Sequence, residues 1–123
     1  MVIHELAEAE ADRLFQALAD ATRRDILRRC MRAEPSLSRL ADIYPMSFAA
    51  VHKHVAVLER AGLVSKERRR REQLVRTDGD ALGRARRVLD ELEALWRRRV
   101  GRMAELLAEA PDPERREPSK GHR

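Results

Sequence analysis

Only one cysteine, Cys30, occurs in the 123 residues. A single thiol excludes an intrachain disulfide and any metal site that needs two thiolates from one chain. Aromatic residues are nearly as scarce: Phe15, Tyr44, Phe48 and Trp96 are the whole set, so a core must be assembled from Leu, Val, Ile and Ala. No uninterrupted apolar run approaches the roughly 20 residues needed to cross a bilayer. The opening stretch Met1-Val2-Ile3-His4-Glu5 also lacks the charged-then-apolar order of a signal peptide. A cytoplasmic, soluble protein with no membrane partner is therefore expected. The length accommodates one domain, or one domain with a tail, and leaves no room for a two-domain enzyme.

Charge is what the chain has in abundance. Lys and Arg number 26 against 21 Asp and Glu, for a net charge of +5, and 23 of the 26 are arginine. The charge is also segregated. Residues 1–20 hold five acids and one arginine, whereas residues 59–76 hold seven bases and three acids. A basic stretch set apart in this way suits a polyanion, and it equally suits a solvated face.

Apolar periodicity divides the chain. Ala7, Ala11, Leu14 and Leu18 with Phe15 recur at helical spacing and predict an amphipathic helix over 5–18. Asp20 is placed to cap a second helix, whose stripe is Ile26, Leu27 and Cys30 and which runs to about Met31. After Pro35, Ser36 caps a third helix carrying Leu37, Leu40 and Ala41. It must stop before Pro45, because proline disfavours a helical residue ahead of it. Ser47 caps a fourth helix to about Arg60, closed by Gly62.

The fourth helix is two-faced. Val51, Val55 and Leu58 share one side with His54 at its margin, and Ala49, His52, Lys53 and Ala56 share the other. Two short helices across a tight turn, the second with a small and polar outer face, are what a helix-turn-helix requires of a helix entering the major groove. Beyond Gly62, the runs 63–66 and 73–77 flank Arg68-Arg69-Arg70-Arg71-Glu72 and predict a two-stranded hairpin with an arginine tip. From Asp78 on, Leu82, Ala85, Leu89, Leu92, Trp96, Met103 and Leu106 follow steps of three and four, interrupted at Arg99. They predict a long helix over 80–108 with a coiled-coil-like seam. Residues 111–123 are polar and proline-rich and predict a disordered tail.

The run from Leu14 to Leu27, then Leu40-Ala41, then the run from Pro45 to Val64 with its core Ser47-Phe48-Ala49-Ala50-Val51-His52-Lys53-His54, resembles the ArsR-type winged-helix transcriptional regulators from about residue 12 to residue 107. The resemblance implies a dimer held by the first and last helices, a recognition helix at 47–60, a wing at 63–77, and repression relieved by a ligand or signal. The chain departs from the family pattern at three places. Ala21 stands where proline often follows the Asp of the second helix, and Arg70 stands where the wing tip often has glycine. The cysteine motif of metal-sensing members is also missing: the third helix reads Leu37-Ser38-Arg39-Leu40-Ala41-Asp42-Ile43, without a thiol. No histidine lies between residues 55 and 121 to complete a zinc site on the last helix.

The expected architecture is mainly α with a small β-hairpin. Residues 1–110 form a winged helix-turn-helix DNA-binding and dimerisation domain, and 111–123 a tail. Candidate DNA contacts are Ser47, Phe48, Ala49, His52, Lys53 and His54 on the recognition helix and Lys66, Arg68, Arg69, Arg70 and Arg71 on the wing. Phe48 has a packing role as its alternative, and His54 a structural one. Candidate dimer contacts are Leu14, Leu18, Leu89, Leu92, Trp96 and Met103. His52 and His54 diverge around the helix and form no chelate. Cys30 reads as a small buried residue, with thiol sensing as the alternative.

No catalytic constellation, metal site or cofactor motif is found. The function expected is a sequence-specific transcriptional repressor that binds a double-stranded inverted-repeat operator as a homodimer and is not an enzyme. No motif specifies its effector. The rival reading is a protein-interaction module that uses the long last helix, with weak or no specific DNA binding.

Overall fold

The computed structural model describes residues 2–109, with side chains from Ala7 onward. The tail expected at 111–123 lies outside the described residues. The elements run α1 (Val2–Leu18), α2 (Ala21–Arg32), α3 (Leu37–Ile43), α4 (Phe48–Arg60), β1 (Val64–Arg69), β2 (Glu72–Thr77) and α5 (Gly79–Glu109). The fold is mainly α with one antiparallel hairpin, as the sequence predicts. The first helix begins three residues earlier than its apolar stripe requires.

The starts of α2 to α5 are each set by a local acceptor that takes up a free backbone N–H of the first turn. Asp20 accepts from Arg23 at 3.0 Å, Ser36 from Arg39 at 3.1 Å and Ser47 from Ala50 at 3.1 Å. Asp78 does the same for α5 through Asp80, at 3.0 Å. The amide hydrogen bond to Asp20 holds its carboxyl below the usual carboxylate range.

The end of α4 is a Schellman closure. Leu63 N–H donates to Leu58 O and Gly62 N–H to Glu59 O, each at 3.0 Å, around a left-handed Gly62 at φ 79°. A Cβ there would also stand 3.3 Å from Arg84 Nη2. The closure turns the chain from the recognition helix straight into β1. Strand register pairs Val64 with Thr77 through to Arg69 with Glu72, which leaves Arg70 and Arg71 as the turn. The loop between α2 and α3 lies along the free edge of β2: Val75 N–H donates to Pro35 O at 2.9 Å, and Ser36 bridges to Leu74.

The described residues form two compact units, one up to Val88 and one from Leu89. The first contains the core, built on Leu14, Ile26, Leu40, Val51, Val55, Leu58, Leu63 and Val75, with Ala81 and Ala85 from the start of α5. In the second, every described side chain is exposed. The apolar residues beyond Val88 are therefore buried against nothing within their own unit.

Two residues expected at the dimer interface pack against the chain's own core. Leu14, expected at a dimer contact, is 1% exposed and belongs to the chain's own core. Leu18 is half-buried against that core. Within the α5 seam, Ala85 is likewise buried and Leu82 half-buried, so the exposed part of the seam begins at Leu89.

Candidate nucleic-acid interface

Ser47, Phe48, Ala49, His52 and Lys53 are all exposed: Ala49, His52 and Lys53 lie on the side of α4 away from the buried Val51, Val55 and Leu58, and Ser47 and Phe48 stand at its start. The division follows from the 3.6-residue period: three apolar residues per two turns seat the helix and leave its small and polar face to solvent. Phe48, 53% exposed, stands one turn before His52, with ring centroids 6.1 Å apart and planes inclined by 37°. An apolar ring and an imidazole next to the small side chain of Ala49 can approach a groove floor closely. There a ring suits a thymine methyl and an imidazole suits a purine edge.

His54, grouped with the DNA contacts from the sequence, faces the start of α2. Its Nδ1 lies 3.3 Å from Arg23 Nη1 and 3.9 Å from Asp20 Oδ2. The imidazole thus meets Arg23, 31 residues away in sequence, beside the Asp20 cap of α2.

The wing also sorts its bases. Along β1, Lys66 and Arg68 point to one face and Glu67 and Arg69 to the other. Lys66, expected at DNA, instead has Nζ 3.4 Å from Glu59 Oε1 in the last turn of α4 and is largely covered. On the opposite face, Glu67 is shared by Arg76 and, at 3.7 Å, by Arg69, and Arg76 also meets Glu34 at 3.1 Å. The Arg76 guanidinium draws the Glu67 carboxyl below its ordinary range. Arg76 is thus neutralised and Arg69 partly so. Arg68, Arg70 and Arg71 are exposed, and no ion pair among the described residues engages them. Arg70 takes the first turn position at φ 59°, a left-handed conformation that glycine adopts without strain and arginine does not.

The end of α3 is tied to α2 by residues that the sequence pattern does not single out. The Tyr44 hydroxyl donates to Asp25 Oδ2, and Arg29 Nε donates to the same oxygen at 3.0 Å while its guanidinium carbon sits 5.7 Å from the Tyr44 ring centroid. Burial and the Asp25 bond push the Tyr44 hydroxyl up to about 12, and its hydrogen bond draws the Asp25 carboxyl down. The available signal was the i,i+4 pair Asp25 and Arg29, but a tyrosine 19 residues away could be placed only by the fold.

Cys30 is buried, and burial pushes its thiol up to about 11, so it carries no thiolate near neutral pH. Among the described residues no group of three or more His, Cys, Asp or Glu is arranged to hold a metal ion, and no helix is long and apolar enough to cross a membrane.

Two helices across a turn, a second helix with a small polar outer face and an arginine-tipped hairpin directly behind it define a winged helix-turn-helix DNA-binding protein. Residues 18–67 match the family profile described as a helix-turn-helix domain. The HTH-type transcriptional regulator Rv2034 of Mycobacterium tuberculosis is 34% identical over 96 residues, spanning 78% of this chain and 87% of that protein. The ArsR-like transcriptional regulator from Rhodococcus sp. RHA1 is 36% identical and superposes with a TM-score of 0.73 over 80% of this chain and 93% of the other. A homodimeric winged helix-turn-helix DNA-binding domain from Mycobacterium bovis, 22% identical with a TM-score of 0.57 over 70% and 80% of the two chains, shares the fold. The chain belongs to the ArsR-type winged helix-turn-helix family and is a DNA-binding transcriptional regulator.

Proposed function

We propose that the protein is a homodimeric repressor that binds an inverted-repeat operator, with α4 in the major groove and the wing on the flanking backbone or minor groove. The observation that carries this reading is the segregation on one unit: an exposed face of Ser47, Phe48, Ala49, His52 and Lys53, followed in the chain by three unengaged wing arginines. The helix face offers base-edge chemistry, whereas the guanidinium groups of Arg68, Arg70 and Arg71 offer phosphate neutralisation and suit a narrow minor groove. His54, Lys66 and Arg69 act on this surface indirectly, by holding the helix and wing in place.

The dimer reading is supported by Leu89, Leu92, Trp96 and Met103, each more than half exposed along one helix. A row of large apolar side chains in water is what a second copy of the same helix would cover. The homodimeric M. bovis domain of like fold fits this assembly. Two symmetric recognition helices then require two half-sites about one helical turn, or a multiple of it, apart. The protein works in the cytoplasm by binding alone, without a cofactor or a catalytic step.

Selection of binding duplexes from a random pool tests this reading. The expected product is an inverted repeat bound by two chains, with affinity that falls steeply between two salt concentrations. Recovery of no preferred sequence would leave the chain as an interaction module built on its last helix.

A further inference from the structure

A basic pocket lies on the flank of α4, apart from the candidate DNA contacts proposed above. Its volume is about 290 Å³, and its walls are Arg13 and Gln16 from α1, Arg23 from α2, and Val57 and Arg60 from α4. Three guanidinium groups from three helices meet there, and no carboxylate is among the lining residues. Like charges gathered in a concave site repel one another and concentrate anions from solution. Two nearby acids are engaged elsewhere: Glu10 lies 3.0 Å from Arg84 and Glu59 lies 3.4 Å from Lys66. Asp20, which caps α2 by accepting the backbone N–H of Arg23, offsets part of the charge of Arg23 only and leaves Arg13 and Arg60 uncompensated.

Arg23 is the preorganised part of the site. Its Nε donates to Ala17 O and its Nη2 to Gln16 O, both at 2.9 Å, and its Nη1 is 3.3 Å from His54 Nδ1. These bonds use three of the five N–H donors of a guanidinium and hold its plane still, so two donors remain on a side chain already ordered. A ligand therefore loses little by ordering Arg23. Arg13 and Arg60 are long and exposed, and no ion pair among the described residues engages them. They can fold onto an anion seated against Arg23. Gln16 adds a neutral donor and Val57 an apolar wall.

Ligand sites commonly enclose roughly 300–1,000 Å³. A cavity at the bottom of that range suits a group of phosphate size rather than a whole nucleotide. We propose that this pocket is a phosphate-binding site on the flank of the recognition helix, with Arg23 fixed at its floor and Arg13 and Arg60 closing on the remaining oxygens.

Two sources present that chemistry, a backbone phosphate of bound DNA and a small phosphorylated molecule. Arg60 lies on the same side of α4 as Ala49 and Lys53, so either source acts on operator affinity. The first adds a contact outside the helix face and wing; the second occupies the helix flank and competes for it. The link to operator binding rests on α4 being the recognition helix, whereas binding of free phosphate does not.

The test uses the full chain and the double variant Arg13→Gln/Arg60→Gln, with thermal melts to verify that both fold. Inorganic phosphate is titrated calorimetrically at constant ionic strength, with chloride as the balancing anion, and operator affinity is measured across a salt series. Phosphate binding that is at least tenfold weaker in the variant, together with loss of operator affinity on adding phosphate, supports the site with a small-molecule source. If free phosphate does not bind, a variant that loses at least tenfold in operator affinity and about two units of salt slope supports the site with DNA as the source. Equal phosphate binding by the two proteins, or no change in either measurement, overturns the proposal. A wild type that binds phosphate but no duplex would refute the DNA reading and leave the pocket standing.

Discussion

Lys66 in the wing and Glu59 in the last turn of the recognition helix face each other, with Nζ 3.4 Å from Oε1 and 16% of the lysine side chain exposed. The wing is thus tied to the helix it accompanies by a charge that sequence position alone would assign to DNA. Lys66→Ala should lower thermal stability slightly and leave the salt slope of operator binding unchanged. A double-mutant cycle with Glu59→Ala should show a coupling below about 1 kcal/mol, as for other partly exposed pairs. A drop of one unit in salt slope on Lys66→Ala would instead place the lysine on a phosphate.

Arg70 separates two roles in one residue. Its left-handed backbone costs roughly 1–2 kcal/mol relative to glycine in the same turn, while its guanidinium stands free. Arg70→Gly should therefore raise the melting temperature by a few degrees and also weaken operator binding, with a salt slope lower by about one unit. Arg70→Asn should do the same, because asparagine tolerates this conformation and also removes the charge. A destabilised Arg70→Gly protein would contradict the turn geometry.

Helix and wing should divide specificity from affinity. His52→Ala should change the order of preference among operator variants, by about 1–3 kcal/mol at the base pair it reads. Arg68→Ala and Arg71→Ala should weaken all duplexes alike. Arg69→Ala should have the smaller effect, because Glu67 already stands 3.7 Å from its guanidinium. Equal losses at Arg68, Arg69 and Arg71 would show that the ion pair opens on DNA.

Trp96, 60% exposed, and Leu92 are the largest apolar side chains near the middle of the exposed seam. Leu92→Glu/Trp96→Glu should yield a folded monomer with weakened operator affinity, read by sedimentation at micromolar concentration. A monomeric wild type under those conditions would remove the dimer reading.

The buried thiol of Cys30 predicts an alkaline effect. Its protonated form is favoured in the fold, since burial moves it from 9.0 to about 11. Below pH 9 the contribution to stability is complete. Between pH 9 and 11 the unfolded thiol ionises while the folded one does not, and stability falls by up to roughly 2–3 kcal/mol. Denaturant titrations of wild type and Cys30→Ala across that range should show a steeper decline in the wild type. Native protein should also react slowly with thiol reagents. Rapid modification at neutral pH would show that the thiol is exposed.

Much of the fold was legible because it is specified locally. Asp20, Ser36 and Ser47 each bond an amide three residues on, and Gly62 takes a backbone angle that other residues resist, so helix ends were written in short segments. The seated face of α4 followed from the spacing of Val51, Val55 and Leu58. What a side chain does at the edge of such a face depends on the element across from it, and no local pattern encodes that. His54 and Lys53 are neighbours in sequence, yet one meets a helix cap and the other meets solvent, because α2 passes only one of them.

The sequence by itself therefore determined the order and ends of the helices, the arginine hairpin and the resemblance to a regulator family. Tertiary structure alone decided that Leu14 belongs to the core, that Lys66 and Arg76 are paired within the chain, that Cys30 is held protonated, and that Arg13, Arg23 and Arg60 share one pocket. The reason is physical. Hydrogen bonds within a helical turn depend on the residues of that turn. Desolvation and charge pairing depend on distances that packing sets between segments tens of residues apart.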